Sequence, residues 1–271
     1  MSCPNCGKYG DFDRTVTAWI CNNCGFEIPD KMSDSRSSML YWYPKVRDLP
    51  IPQPRTEILE IRASEEDWYN YIDGQGPPPF DINSLKALCR KIGYPIFLRT
   101  DQTSGKHFWR DACYVANESK LKGNLFRVVE STLGADIIGL SVRSLFVREY
   151  IPMMSLFTAF YGEMPVNPEM RCFVREGRMR CCHWYWIEDA IVNPSVENWR
   201  EILSNYQIEN MAMDFMAVRN FARIIAEAFK DDGFWSVDFC KSKTGQWILI
   251  DMAEGERSWH PENCKEGDLL K

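Results

Sequence analysis

The stretch from Phe234 to Glu254, FWSVDFCKSKTGQWILIDMAE, constrains the fold most, because it places one carboxylate inside each of two consecutive apolar runs. Trp235, Val237 and Phe239 alternate with Ser236, Asp238 and Cys240, the two-residue period of a strand, and Trp247 to Met252 is a second apolar run around Asp251. A two-residue turn at Thr244 and Gly245 would set Asp238 directly across from Asp251 on one face. Like charges facing each other across a ladder repel by roughly 0.2–1 kcal/mol, more when desolvated, unless a cation lies between them. Two carboxylates on rigid strands suit Mg²⁺, which takes one or two acidic ligands together with substrate phosphates. The competing reading is a longer turn, another register, and two solvated edge charges.

The amino-terminal region carries a second constraint. Cys3-Pro-Asn-Cys6-Gly7 and Cys21-Asn-Asn-Cys24-Gly25 repeat one knuckle with fourteen residues between the pairs. Four thiolates at this spacing suit tetrahedral Zn²⁺, and each following glycine permits the tight turn that aims amides at sulfur. Residues 1–30 therefore read as a zinc ribbon with a short strand within Thr15 to Ile20, since thirty residues are too few to fold without such a staple. The span holds two basic and four acidic side chains, which gives no electrostatic support for gripping nucleic acid and favours a structural or protein-docking role. Asp30 to Ser38 is polar and short, so residues 31–40 read as a linker.

The chain has 271 residues, enough to bury a substantial core in one large or two modest domains. There is no apolar secretory core at its start and no run of eighteen apolar residues, which places it in the cytosol and away from membranes. Eleven cysteines in that compartment read as thiols and metal ligands, and the isolated Cys89, Cys113, Cys172, Cys181, Cys182, Cys240 and Cys264 read as buried thiols. A formal net charge of −6 argues against tight nonspecific binding to nucleic acid.

Between ribbon and hairpin, Glu57 to Ile61 reads as an edge strand and residues 64–72 as an amphipathic helix. A further helix is capped by Asp81 or Ser84 and runs through Arg90, with Gly93 just past its end. Tyr94 to His107 reads as a strand ending in Arg99, then a small-residue loop holding Lys106. That arrangement can lay two cations and several amides around phosphate oxygens, or can be an ordinary exposed loop. Leu145 to Ile151 reads as a strand end or hinge carrying Arg148, and Glu169 to Ile187 as a hairpin turning at Glu176-Gly177. His183, in its aromatic second strand, reads as a satisfied sheet residue. Val196 to Leu203 reads as a short helix. Met211 to Phe229 reads as a separate one, its face of Phe215, Val218, Ala222, Ile225 and Phe229 turned to the sheet and its methionines in the core.

Taken in order, these residues resemble the ATP-grasp superfamily. More narrowly they resemble the clade of phage and bacterial Arg-Arg-Lys-type ATP-grasp proteins and a eukaryotic assembly chaperone of translation initiation factor 2. Trp42-Tyr-Pro-Lys45 is similar to that chaperone's opening motif, and Glu169-Met-Arg171-Cys-Phe-Val174 is similar to the clade's Glu-Phe-Arg-Cys-Phe-Val signature. The resemblance implies an α+β fold of two ATP-grasp-like lobes with mixed and antiparallel sheets and helices, preceded by the small zinc ribbon. The ATP-grasp-like domain would span residues 41–271, with lobes at about 41–150 and about 151–271. It also implies that Arg99 and Lys106 contact nucleotide phosphates, that Arg148 leads into an adenine hinge of Glu149, Tyr150 and Ile151, and that Arg171 reaches the transferred phosphate. Asp238 and Asp251 match the Mg²⁺-binding acids. Where many members have an acid, one residue and then Asn, this chain has Asp251-Met-Ala253, which leaves two alternatives: Glu254 substitutes as the ligand, or the second metal is held weakly.

The implied activity is ligation driven by ATP and Mg²⁺. A carboxylate is activated as an acyl phosphate and opened by an amine or similar nucleophile, with catalysis resting on Arg171 and Lys106. Both substrates are unnamed, and a protein or peptide is among the candidates. The other reading is an ATP-binding assembly chaperone or protein-binding module in which the ribbon, holding Zn²⁺ through Cys3, Cys6, Cys21 and Cys24, docks a partner without ligation.

Overall fold

A computed structural model describes residues 38–134 and 142–261, together with Arg36, Cys264 and, near the amino terminus, three short strands and Asn22. Those strands, β1 (Phe12–Arg14), β2 (Ala18–Cys21) and β3 (Glu27–Pro29), form an antiparallel sheet in the order β1-β2-β3. Of the ribbon cysteines, Cys3, Cys6 and Cys24 lie outside the described residues, as does the side chain of Cys21 and most of the 31–40 linker.

Two four-stranded sheets organise the rest. The first contains β4 (Thr56–Glu60), β5 (Ile96–Thr100), β6 (Tyr114–Val115) and β7 (Ser144–Glu149), in the order β4-β7-β5-β6 with antiparallel pairing throughout. β4 stands at the edge, as its proline-rich approach requires. The helices α2 (Glu65–Ile72), α3 (Ile82–Ile92) and α4 (Leu121–Leu133) cover this sheet around Trp68, Leu85, Leu98, Leu125 and Val147. Ser64 caps α2 through a reciprocal capping box with Asp67, and Asp81 caps α3.

The second sheet runs β11-β10-β12-β13, from β10 (Glu169–Arg175), β11 (Arg178–Trp184), β12 (Phe234–Lys241) and β13 (Trp247–Glu254). One face packs Met170, Cys172, Val174, Trp235, Val237 and Phe239 against α1 (Met39–Val46) and α5 (Trp199–Ala228). The alternation read in β12 therefore sorts as anticipated, with the other face left to Arg171, Phe173, Ser236 and Asp238. The ribbon of β8 (Phe157–Ala159) and β9 (Met164–Val166) builds a smaller core with Trp186 and Trp199.

Two readings of α5 change. It is one helix of 30 residues, not two, because Ser204 to Asn210 contains neither Pro nor Gly to interrupt it. Its midsection is not core either: Met213 and Met216 are exposed, while Val218, Ala222 and Ile225 carry the buried stripe onto the sheet. Among the described residues, no helix is long and apolar enough to cross a membrane.

Candidate functional site

The two sheets face each other across a cavity of about 1640 Å³ lined by the end of β5, the loop after it, and the polar face of β10, β12 and β13. Its acidic floor depends on a local irregularity. Near the turn, Cys240 pairs with Ile248 and Phe239 with Leu249, a register that continued regularly would place Ile250 opposite Asp238. A bulge at the Asp238/Phe239 step inserts one residue on β13, and Asp238 instead faces Asp251. Bulges of this kind re-aim side chains beside binding sites. The pairing anticipated from sequence is thus present, but the turn is longer than two residues. Ser242 N donates to Gln246 O at 2.8 Å, closing the loop Lys243-Thr244-Gly245, and Gly245 takes a φ of +86°.

Three cation and acid pairs meet in the cavity. Arg171 donates through Nε and Nη2 to the two oxygens of Asp238, both at 2.8 Å, a bidentate pair on adjacent strands where these residues are direct register partners. Arg99 Nη1 donates to Asp251 Oδ1 at 2.9 Å, and that same oxygen accepts from Met252 N at 3.0 Å. Lys106 Nζ lies 3.9 Å from Glu169 Oε1 and donates to Tyr185 Oη at 3.1 Å. Arg148, next to Arg99, donates to the Ile250 carbonyl at 2.6 Å and so ties the first sheet to the bulge. Arg99, Arg148, Glu169 and Asp238 are buried.

Burial resists charge on Arg171, but the bidentate Asp238 outweighs it, and the guanidinium pKa rises above its ordinary value. Burial likewise opposes the Lys106 ammonium, and Glu169 with Tyr185 outweighs it, so that pKa rises too. Burial and the neighbouring Arg99 charge lower Arg148 to about 10, still charged at neutral pH. Glu169 is pushed up to about 7, chiefly by burial, with Lys106 opposing and the Asp238 charge adding to the rise.

The loop after β5 belongs to the cavity wall. Thr100 Oγ1 accepts from the amides of Gln102 and Thr103, and Thr132 Oγ1 lies 3.1 Å from Thr100 Oγ1 and 2.7 Å from Thr103 Oγ1. These bonds fix Gln102 and Thr103 at the start of the loop, and the chain from Gln102 to Lys106 lines the cavity together with Arg99. Glu149, Tyr150 and Ile151 also line the cavity, although the Glu149 carboxylate accepts from Arg55 Nε at 3.0 Å. Sequence reasoning missed the aromatic wall there: Trp109 stacks on Tyr114 at 5.8 Å, and Tyr114 meets Tyr150 edge-on at 4.9 Å. It also missed Tyr185, whose ring lies 4.6 Å from the Arg171 guanidinium, and gave Glu169 no role. The alternation that put Arg171 on this face also put Glu169 there, which was the available signal.

The structure brings Arg99, Lys106, Arg148 to Ile151, Arg171, Asp238 and Asp251 to one cavity, but not Glu254. Its carboxylate pairs with Arg257 at 3.2 Å and lies 3.8 Å from Arg36, while Ala253 lines the cavity in its place. The reason is strand alternation: Glu254 is an odd number of residues beyond Asp251 and cannot share its face. Carboxylates of this kind are hard oxygen donors suited to Mg²⁺, and the paired arginines are suited to phosphate oxygens. Glu169 Oε1 and Asn167 Oδ1, both buried at the cavity, have no hydrogen-bond partner, so the set retains acceptor capacity for a cation or donor.

No curated protein sequence matches the chain. Among solved structures, C-terminally truncated Cdc123 from Schizosaccharomyces pombe is similar at a TM-score of 0.52 and 14% identity, covering 81% of this chain and 83% of that one. The RimK domain ATP-grasp protein from Sphaerobacter thermophilus gives 0.40 and 12%, over 82% and 61%. N5-carboxyaminoimidazole ribonucleotide synthetase from Thermotoga maritima gives 0.40 and 12%, over 85% and 45%, so the chain spans under half of that enzyme. At these identities the likeness concerns the fold alone. The sequence profile for the ATP-grasp domain, family 3 of the clade named for its two arginines and one lysine, matches residues 89–271, which takes in the second sheet, the first sheet apart from its edge strand β4, and every cation and acid of the cavity. The chain belongs to the ATP-grasp superfamily, in family 3 of its Arg-Arg-Lys clade.

Proposed function

We propose that the chain is a Mg²⁺- and ATP-dependent ligase that activates a carboxylate for attack by an amine or similar nucleophile. The observation that carries this reading is the meeting of Arg99, Lys106 and Arg171 with Asp238 and Asp251 in one cavity. Each of these cations is held beside an acid. A bound metal and triphosphate would let the partners exchange, the acids turning to the metal and the cations to phosphate oxygens, with little net charge left uncompensated. Mg²⁺ held by Asp238 and Asp251, with Glu169 within reach, would supply neutralisation of charge on the phosphate oxygens.

In this reading the chain's own residues chiefly position and polarise. Arg171, placed beside Asp238 by strand register and backed by Tyr185, would turn from that carboxylate to the oxygens of the phosphate being transferred. Lys106 would swing from Tyr185 onto the same chain of phosphates. Trp109, Tyr114 and Tyr150 offer flat surfaces for the base beside the hinge of Glu149 to Ile151. The substrate carboxylate oxygen forms a bond to the terminal phosphorus as the bond to ADP breaks. The nucleophile then takes the acyl group and phosphate leaves. The cavity is larger than the ~300–1,000 Å³ of an ordinary small-molecule site, which leaves room for an acceptor beside the nucleotide. The proposed setting is the cytosol, whose reducing conditions suit the free thiols among the described cysteines.

One observation favours a second reading, an ATP-binding clamp that docks a protein partner without ligation. Ala253 stands where a further metal ligand would help, and Glu254 is turned away. A steady-state ADP-release assay separates the two. Release that requires both Mg²⁺ and an added carboxylate and amine acceptor supports the ligase. ATP binding without turnover, together with co-purification of a stoichiometric partner, supports the clamp, and absence of ATP binding contradicts both.

A further inference from the structure

Away from the cations of the cavity, four side chains converge that sequence reasoning had treated as unrelated. Cys181 and His183 lie two residues apart on β11 and so share one face of that edge strand. His260 and Cys264, spaced by three residues, come from the segment after β13. One ligand atom from each of the four lies within 4.8 Å of all the others, and all four residues are half-buried. Cys181 Sγ is 2.9 Å from His260 Nε2. The Nε2 atom of His183 is buried and finds no hydrogen-bond partner, so this histidine is not the satisfied sheet residue its surroundings suggested.

We infer that Cys181, His183, His260 and Cys264 form a structural Zn²⁺ site, separate from the amino-terminal ribbon, that clasps the carboxy-terminal segment to β11. Two thiolates and two imidazoles are a donor set that favours tetrahedral Zn²⁺, and four protein ligands leave no open position for catalysis. With Zn–S near 2.3 Å and Zn–N near 2.0–2.1 Å, tetrahedron edges of roughly 3.3–3.8 Å are needed, so the observed separations require shifts of only about an ångström. On binding, each thiol gives its proton to solvent, and the two thiolates neutralise the ion. The product is an uncharged centre, which suits a half-buried position.

The course of the carboxy-terminal segment is independent support. The segment leaves β13 and crosses the sheet face in order toward β11. Gly255 passes so close to Phe234 of β12 that an added Cβ would lie 2.2 Å from its ring. Ser258 Oγ then meets Ser236 Oγ of β12 at 2.6 Å. The His260 ring next sits edge-on to Phe173 of β10 at 4.2 Å, and 5.2 Å from the His183 ring of β11. Each residue along this path is set by the strand beneath it, and the path ends on the ligand cluster. His183 is also the register partner of Arg171, so the clasp braces the strand pair that positions the cavity's bidentate arginine.

The test uses the full chain with Cys3, Cys6, Cys21 and Cys24 changed to Ser, purified reduced and analysed for metal. One zinc per chain is expected, and adding Cys181→Ser and Cys264→Ser should remove it. Zinc-free protein with the four ribbon substitutions alone, or zinc that survives all six, overturns the assignment. Because the multiple variants can fail to fold, zinc X-ray absorption on the unaltered chain gives a second reading. A mixed sulfur and imidazole shell is expected, whereas sulfur ligands alone, or a Cys181–Cys264 disulfide in mass spectrometry, overturns it.

Discussion

Replacing Glu169 with Gln removes a carboxylate that is buried at the cavity and titrates near neutrality, and the change has a calculable signature in stability against pH. The Glu169 pKa is about 7 in the folded chain against an ordinary 4.5, raised first by burial, then by Asp238 and Asp251, with Lys106 and Arg171 opposing. A carboxyl group whose folded pKa is raised contributes stability that is fully present below the unfolded value and is lost as pH climbs through the folded one. From about pH 5.5 to about pH 8 the loss comes to about 2 kcal/mol, and Gln, which does not titrate, escapes it. Lys106 titrates above this window and does not disturb the comparison. Urea unfolding of both proteins without nucleotide, at several pH values, gives the difference directly. The Gln variant should gain about 2 kcal/mol on wild type across that range. A difference constant to within about 0.5 kcal/mol would refute the burial argument, since pH-independent costs of the substitution cancel.

Three further outcomes follow from the packing and the loop chemistry. Asp214, buried on α5, accepts from Lys241 Nζ at 2.8 Å and from Tyr206 and Trp247, so Asp214→Ala should cost about 3–5 kcal/mol in denaturant unfolding by stranding the ammonium. Gly255→Ala should cost about 1–3 kcal/mol by forcing its new methyl into the Phe234 ring, read by the same method. Thr132→Val should loosen the loop that carries Lys106, raising amide exchange at Gln102 and Thr103 while leaving exchange in β12 unchanged.

Much of the second sheet could be read from sequence because its chemistry follows a two-residue period. Asp238 and Arg171 each stand out from apolar neighbours, and their face follows from counting. Asp251 reached its anticipated partner by another route, through a bulge that alternation cannot reveal, whereas Glu254 was misjudged although regular alternation from Asp251 already puts it on the other face. The continuity of α5 was hidden because its apolar stripe fades between Ser204 and Asn210, where nothing breaks the backbone. The aromatic wall of Trp109 and Tyr114 and the cluster around His183 and His260 depend on distant segments meeting, and no local period encodes such meetings. The ATP-grasp resemblance supplied the connection between Arg99 and Asp251 that spacing alone could not.

The central claim is that Arg99, Lys106 and Arg171 clasp a triphosphate against metal held by Asp238 and Asp251. Calorimetric titration of ATP into the wild-type chain and into Asp251→Asn, each with and without Mg²⁺, tests it most directly. The account predicts Mg²⁺-dependent binding to wild type that is lost in a variant whose unfolding transition is otherwise retained. ATP affinity that is the same in both proteins, with or without the metal, would contradict it.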